Sequence, residues 1–147
     1  MKITVDNYKK FKPSEFIRSF ASDIEWAIKS GKKMDMGTIL EKGDCLPCLG
    51  GIACMNFGIP IKDTELSRIQ YNVAFLGDAI RLSVFSNMMY RLSRLYPSLN
   101  RGDHTTLIEK RLRNEVVHLS YKGTILPKQS MIERIHKIAD IIASEGY

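Results

Sequence analysis

The sequence predicts an all-α fold, a compact bundle of four to six helices, for this chain of 147 residues. Apolar residues recur three and four positions apart over most of its length, which is the spacing of one face of an α-helix. Proline and glycine lie at the ends of these periodic stretches, where they favour helix starts and stops. The alternating apolar and polar residues typical of strands are almost absent. We therefore interpret residues 1–147 as a single α-helical domain.

The chain begins with an arm and a long amphipathic helix. The opening residues, MKITV, favour a short strand or an extended arm. Pro13 suits a first helical position and Gly31 suits a stop, so we predict a helix over residues 13–30. We expect Trp26 to lie in the core. The apolar face of the helix carries Phe16, Ile17, Phe20, Ile24, Ala27 and Ile28.

A second helix is predicted from Pro47 onward, in the segment CLGGIACMNF. Gly50 and Gly51 lie near its start, and each weakens a helix by about 1 kcal/mol relative to alanine. Tertiary packing or a ligand must offset that loss. Small side chains at these positions also allow another backbone to approach closely.

The apolar period continues from residue 63 to residue 96, which predicts further helix. Gly77 and Asp78 interrupt this stretch, and we expect them to divide it into two helices. Glycine inside a helical pattern weakens the helix at that point.

Two more helices are predicted in the second half of the chain. Asp103 or Thr105 can cap a helix that follows the polar turn at 97–103. Ser130 and Glu133 are spaced as a capping box, which predicts the start of the last helix at Ser130.

Composition and charge limit the class of partner. No apolar run approaches the roughly 20 residues that a membrane span needs, and the first residues lack the pattern of a secretory signal. We expect a cytoplasmic protein with no membrane contact. The net charge is +6, from 22 basic and 16 acidic residues. This excess favours anionic partners, namely a nucleotide, RNA or an acidic protein surface.

Three cysteines, Cys45, Cys48 and Cys54, lie within ten residues of one another. Such clustering is unlike a disulfide framework, so we expect free thiols in a reducing compartment. Two thiolates two residues apart also suit zinc, which would take Cys54 and a histidine to reach four ligands. Redox chemistry is a further alternative, because a helix N-terminus lowers a thiol pKa. With only one such pair present, we expect neither a metal ion nor another cofactor.

The segment RNEVVH at 113–118 resembles the R-N-x-x-x-H signature of the HEPN ribonucleases. That resemblance implies an all-helical protein that cleaves RNA without a metal ion, usually across a dimer. Asn114 and His118 are four residues apart and share a helix face. His118 would act as general acid or base, and Arg113 would hold the phosphate. The other interpretation of these residues is an exposed, charged helix end.

A second resemblance rests on Trp26, on CLPCLGGIAC at 45–54 and on LGDAIR at 76–81. This order is similar to that of small uncharacterised bacteriophage accessory proteins, which carry a tryptophan and a C-x-x-C-L-[AG]-G-A-like segment. The resemblance implies a viral protein made in the cytoplasm of a bacterial host. It implies no activity.

The residues of these two segments are compatible with a binding site. Gly50 and Gly51 lie near a helix N-terminus, where free N–H groups favour anions. Arg81 follows Asp78 by three residues on one helix face, so the two can pair or line a site together. The alternative is a close crossing of two helices at the small residues.

The sequence thus leads to two functional hypotheses. The first is a small, non-enzymatic, phage-type binding protein that antagonises a host defence factor or sequesters an anionic nucleotide. Its ligand-binding residues would be Gly50, Gly51, Arg81 and Arg113. The alternative is a HEPN-like ribonuclease, which implies a homo-oligomer. Its catalytic residues would be Arg113, Asn114 and His118.

Overall fold

A computed structural model of the chain describes residues 2–39, 43–57, 74–85, 87–100, 102–119 and 121–147. Over these residues the protein is mainly helical, which confirms the predicted fold class. None of the described helices is both long and apolar enough to cross a membrane. The helices are α1 (Pro13–Ser30), α2 (Leu49–Asn56), α3 (Ala74–Ser83), α4 (Met88–Leu95), α5 (Asp103–Val116) and α6 (Gln129–Ser144).

Helix α1 has the bounds that its proline and glycine predict. The backbone N–H of Lys12 donates a hydrogen bond of 2.7 Å to the Glu15 carboxylate, which satisfies one free group at the helix start. Gly31 ends the helix with a φ of 70°, a left-handed conformation that glycine adopts without strain. The apolar face of α1 is buried, and α1 packs most extensively against α6. These two helices form the centre of the core.

Two short strands tie the segment after α1 to the segment before α6. Strand β1 (Met34–Asp35) pairs antiparallel with β2 (Thr124–Ile125). The predicted strand at the N-terminus is wrong for the described residues 2–7, which contain none. Instead, the Thr4 N–H donates a 2.7 Å hydrogen bond to the Asn7 side chain. This bond turns the arm into a 3₁₀ helix at Tyr8–Lys10.

The predicted helix break at Gly77 and Asp78 is also wrong. Both residues lie inside α3, and the chain turns between α3 and α4 instead. There Phe85 and Asn87 have φ values of 55° and 51°. Phe85 is buried and packs edge-on against Phe20, with the ring centroids 6.1 Å apart, which stabilises this uncommon backbone conformation. The first part of the predicted stretch, 63–73, lies outside the described residues.

The predicted caps of the last two helices are wrong by one to three residues. Helix α5 begins at Asp103, so the preceding Gly102 occupies the cap position that we predicted for Asp103 or Thr105. Gly102 adopts φ 56° and ψ −123°, a conformation that glycine reaches far more easily than other residues. Helix α6 begins at Gln129, and Ser130 already lies within its first turn. The capping box at Ser130 therefore does not form.

Candidate functional site

A groove lies between α1, α2 and the N-terminal arm, and we call it the α1–α2 groove. Its volume is about 560 Å³, within the range of small-molecule sites, which is roughly 300–1,000 Å³. The apolar side chains that line it are Ile3, Phe11, Trp26, Ala53 and Phe57. The charged side chains that line it are Lys2, Glu15, Arg18 and Asp23.

One face of α1 forms a wall of this groove. Glu15, Arg18, Ser22 and Trp26 line it and recur three and four residues apart, which places them one above another on a helix. Trp26 was expected in the core, but 43% of its surface is exposed, so that prediction is wrong. The groove therefore has an accessible aromatic ring at one side.

Asp23, which is buried, and Asn56, which is half-buried, form a polar pair at the groove. Asp23 is only 5% exposed, and the Asn56 amide donates a hydrogen bond to its Oδ1. Asn56 is the last residue of α2, so the pair links α1 to α2. Burial raises the pKa of Asp23 to about 7, although the hydrogen bond from Asn56 and the charge of Lys2 act to lower it. Asp23 is consequently close to half ionised at neutral pH.

Two cations lie at the same groove. Lys2 is exposed, and its charge acts on Asp23. The Arg18 guanidinium donates a hydrogen bond of 2.7 Å to Asp140 and lies 2.9 Å from Nδ1 of His136, both on α6. Its side chain is 39% exposed. The α1–α2 groove thus combines an aromatic face, a buried carboxyl group and positive charge.

No protein-family model, curated protein or solved structure matches this chain. The resemblances to phage accessory proteins and to HEPN ribonucleases stay predictions. The two phage-like segments, 45–54 and 76–81, contribute most of α2 and α3. They pack together where Gly50 meets Ile80.

The predicted ligand-binding glycines are both buried at tight contacts. A Cβ atom on Gly51 would lie 2.3 Å from the backbone oxygen of Ile39, and one on Gly50 would lie 2.9 Å from Ser83 Oγ. Their backbone N–H groups lie close enough to the Cys48 thiol to lower its pKa against the effect of burial. Close packing accounts for both glycines, and anion binding by them stays a prediction.

The two predicted arginines are separate from each other. Arg81 makes no ion pair with the described residues, and the predicted pairing with Asp78 is wrong. Asp78 is instead bound by Arg91 at 2.7 Å and by Arg94 at 2.9 Å. Arg113 lines a smaller groove of about 210 Å³, and none of the other predicted ligand-binding residues lines it.

The three predicted catalytic residues lie at the end of α5. Arg113 and Asn114 are exposed in its last turns, and His118 is exposed in the 3₁₀ turn Val117–Leu119. Their side chains form no hydrogen bond or ion pair with the part of the chain that the structure describes. They are therefore accessible to a substrate or to a second copy of the chain.

The three cysteines are free thiols. Burial raises the pKa of Cys48, and it raises the pKa of Cys54 to about 12. The redox alternative needs a lowered thiol pKa, so the raised values do not favour it for these two cysteines. Among the described residues no three His, Cys, Asp or Glu side chains are placed to hold a metal ion. His104 is one of the histidines that could complete the zinc site, and its side chain lies outside the described residues.

Sequence reasoning missed Asp23, although the sequence contains a signal for it. Asp23 follows Phe20 by three residues and precedes Ile24, so it falls on the apolar face of α1. A carboxyl group on a buried helix face is costly unless it has a partner or a function. That position was the strongest available sign of a polar site in the first helix.

Proposed function

We propose that this chain is a small binding protein that holds an anionic nucleotide in the α1–α2 groove without converting it. The observation that carries the proposal is the hydrogen-bonded pair of buried Asp23 and half-buried Asn56, which faces a groove that also contains Trp26. A few polar groups that converge in a largely apolar groove are typical of small-molecule sites.

The base of the nucleotide would stack on Trp26. This is the only tryptophan in the chain, and nearly half of its surface is accessible in the groove. Stacking of a base on an aromatic side chain contributes about 1–3 kcal/mol. The polar edge of the base would face Asp23 and Asn56, which fixes its orientation.

The phosphate would lie near Lys2 and Arg18. The Arg18–Asp140 pair does not prevent this, because 69% of the Asp140 side chain is exposed and such surface pairs contribute at most about 1 kcal/mol. The net charge of +6 also favours an anion over a cationic ligand. A phosphate can therefore take the place of Asp140 beside Arg18 at little cost.

The phage resemblance suggests a use for such binding. We infer that the protein, made in a bacterial cytoplasm, sequesters a nucleotide on which a host defence factor depends. Sequestration requires only that the protein exceed the nucleotide in concentration and bind it more tightly than the factor does. No chemical step is needed, which suits a compact helical domain.

Substitution of Trp26 by leucine is expected to weaken nucleotide binding roughly tenfold, because leucine keeps apolar contact but removes the stacking face. Isothermal titration calorimetry of the purified protein with AMP, GMP and UMP measures the change. Tyr90→Leu is the matched control, because Tyr90 is an exposed aromatic residue that does not line the α1–α2 groove.

Titrations with the corresponding nucleosides separate the contribution of the phosphate to the affinity from that of the base. Nucleosides should bind more weakly than their monophosphates, and added salt should narrow this difference because exposed charges are screened beyond about 8 Å. Absence of heat with all three monophosphates at low salt contradicts the proposal. Equal loss of affinity in Trp26→Leu and Tyr90→Leu contradicts the assignment to this groove.

A HEPN-like ribonuclease is the second candidate. The observation that favours it is the exposure of Arg113, Asn114 and His118 together at the end of α5. An exposed histidine near neutral pH can transfer a proton, and an exposed arginine can hold a phosphate of RNA. Two copies of this surface would form one site in a dimer.

Under this alternative, His118→Ala is expected to abolish RNA cleavage while the circular dichroism spectrum stays unchanged, since His118 is exposed and packs little. A labelled RNA oligonucleotide incubated without metal ions provides the measurement. Lys122→Ala, an exposed neighbour along the chain, is the control. Cleavage that survives in His118→Ala excludes the R-N-x-x-x-H mechanism.

A further inference from the structure

Only one oxygen of the Asp23 carboxyl group is used within the described part of the protein. Oδ1 accepts the hydrogen bond from Asn56, whereas Oδ2 has no hydrogen-bond partner among the described residues. Asp23 is 5% exposed and lines the α1–α2 groove, and Oδ2 is not fully buried, so a ligand in the groove can reach this oxygen. A carboxylate with so little contact to water is costly, and a ligand in the groove that supplies N–H donors lowers that cost.

The common bases differ in the donors that they offer to a carboxylate. Guanine presents two adjacent donors, its ring N1–H and its 2-amino group, which match the two oxygens of one carboxylate. Adenine and cytosine present an amino group beside a ring acceptor, and uracil presents one N–H between two acceptors. An acceptor placed against the ionised carboxylate of Asp23 would repel it, whereas the protonated form donates to an acceptor. Of these bases, only guanine offers a carboxylate two adjacent donors.

We propose that the base held in the α1–α2 groove is guanine, with its N1–H and 2-amino group directed at the Asp23 carboxylate. This inference rests on the nucleotide-binding function proposed above and names the class of nucleotide. Trp26 supplies the stacking face that any base can use, so it gives affinity. Asp23 gives selectivity among bases, because its ionised carboxylate accepts from donors and repels acceptors on their polar edges.

The ionisation of Asp23 supports this assignment. An ionised carboxylate accepts through both oxygens, whereas a protonated one donates from one of them. The other charged side chains that line the groove are Lys2, Glu15 and Arg18, and the Cys54 thiol also interacts with Asp23. With the pKa of Asp23 at about 7, GMP affinity should rise about tenfold between pH 6 and pH 8. AMP affinity should not rise in this way.

The experiment titrates the protein with GMP, IMP and AMP and follows the fluorescence of Trp26, the single tryptophan. IMP keeps the N1–H of guanine and lacks its 2-amino group. We expect GMP to bind about tenfold more tightly than IMP, because one charge-assisted hydrogen bond is worth about a factor of ten in affinity. GMP should bind more tightly than AMP by at least the same factor. Asp23→Asn should remove the preference while it keeps the hydrogen bond from Asn56.

Asp44→Asn is the matched control, because Asp44 is exposed and does not line the groove. It should keep both the affinity for GMP and the preference over IMP. Equal binding of GMP, IMP and AMP overturns the guanine assignment and leaves the nucleotide function standing. Absence of binding by all three, confirmed by calorimetry, overturns the nucleotide function itself. A preference for GMP that persists in Asp23→Asn shows that another group selects the base and also overturns the inference.

Discussion

Replacement of Gly51 by alanine is expected to lower the free energy of unfolding by about 3 kcal/mol or more, at the upper end for overpacked sites. The new Cβ would lie 2.3 Å from the backbone oxygen of Ile39 and 2.6 Å from Cβ of Pro47. Neither atom belongs to a flexible side-chain end, so the contact is relieved only if the backbone moves. The gain of about 1 kcal/mol from higher helix propensity is too small to offset this.

Gly50→Ala is the matched control for this prediction, because it lies in the same turn and gains the same helix propensity. Its nearest contact would be Ser83 Oγ at 2.9 Å, a side-chain atom, and the nearest backbone atom, Ile80 O, would lie at 3.2 Å. Urea unfolding followed by circular dichroism should place Gly51→Ala well below Gly50→Ala in stability. Equal stability of the two variants would contradict the backbone contact. The loss should also lower the melting temperature by roughly 6–12 °C.

The sequence predicted those parts of the fold that depend on local chemistry. Helix α1 was placed correctly because Pro13 and Gly31 bound an unbroken apolar period. The break between α3 and α4 was misplaced, because a glycine inside a helix was taken as a stop. The true position of the break depends on Phe85, which packs against Phe20. These two residues are 65 positions apart in the sequence. Local patterns carry no information about such a contact.

The candidate site was less predictable than the fold. The sequence drew attention to Gly50 and Gly51 and left two alternatives, anion binding or a close crossing of helices. The structure shows close packing at both, against Ser83 and Ile39. The α1–α2 groove exists only because the N-terminal arm and the end of α2 lie beside α1 in space. Asp23 alone could have been noticed, as a carboxyl group within an apolar stripe. Its partner Asn56 follows it by 33 residues, and no spacing rule connects the two.

Substitution of Asp23 by asparagine is expected to stabilise the protein at pH 8 and to have little effect on stability at pH 4. Burial raises the pKa of Asp23 from its ordinary value of 3.8 to about 7. A raised pKa in the folded state means that this group stabilises the fold fully below pH 4 and loses that contribution as the pH rises to 7. The free energy of unfolding falls by about 4 kcal/mol over this range because Asp23 ionises. Asparagine carries no charge, so Asp23→Asn avoids this decrease.

Urea unfolding of the wild type and Asp23→Asn at several pH values from 4 to 8 measures this effect. The difference in unfolding free energy should grow with pH up to about pH 7 and then level off. Groups that both proteins share cancel in the difference, including Glu115, whose pKa is lowered by its contacts with Lys137 and Arg134. Asp44→Asn should show no such trend. A constant difference across this range would mean that Asp23 titrates normally. If stability rises while GMP affinity falls, the buried carboxyl group is retained for binding at the expense of stability, as expected of a functional site.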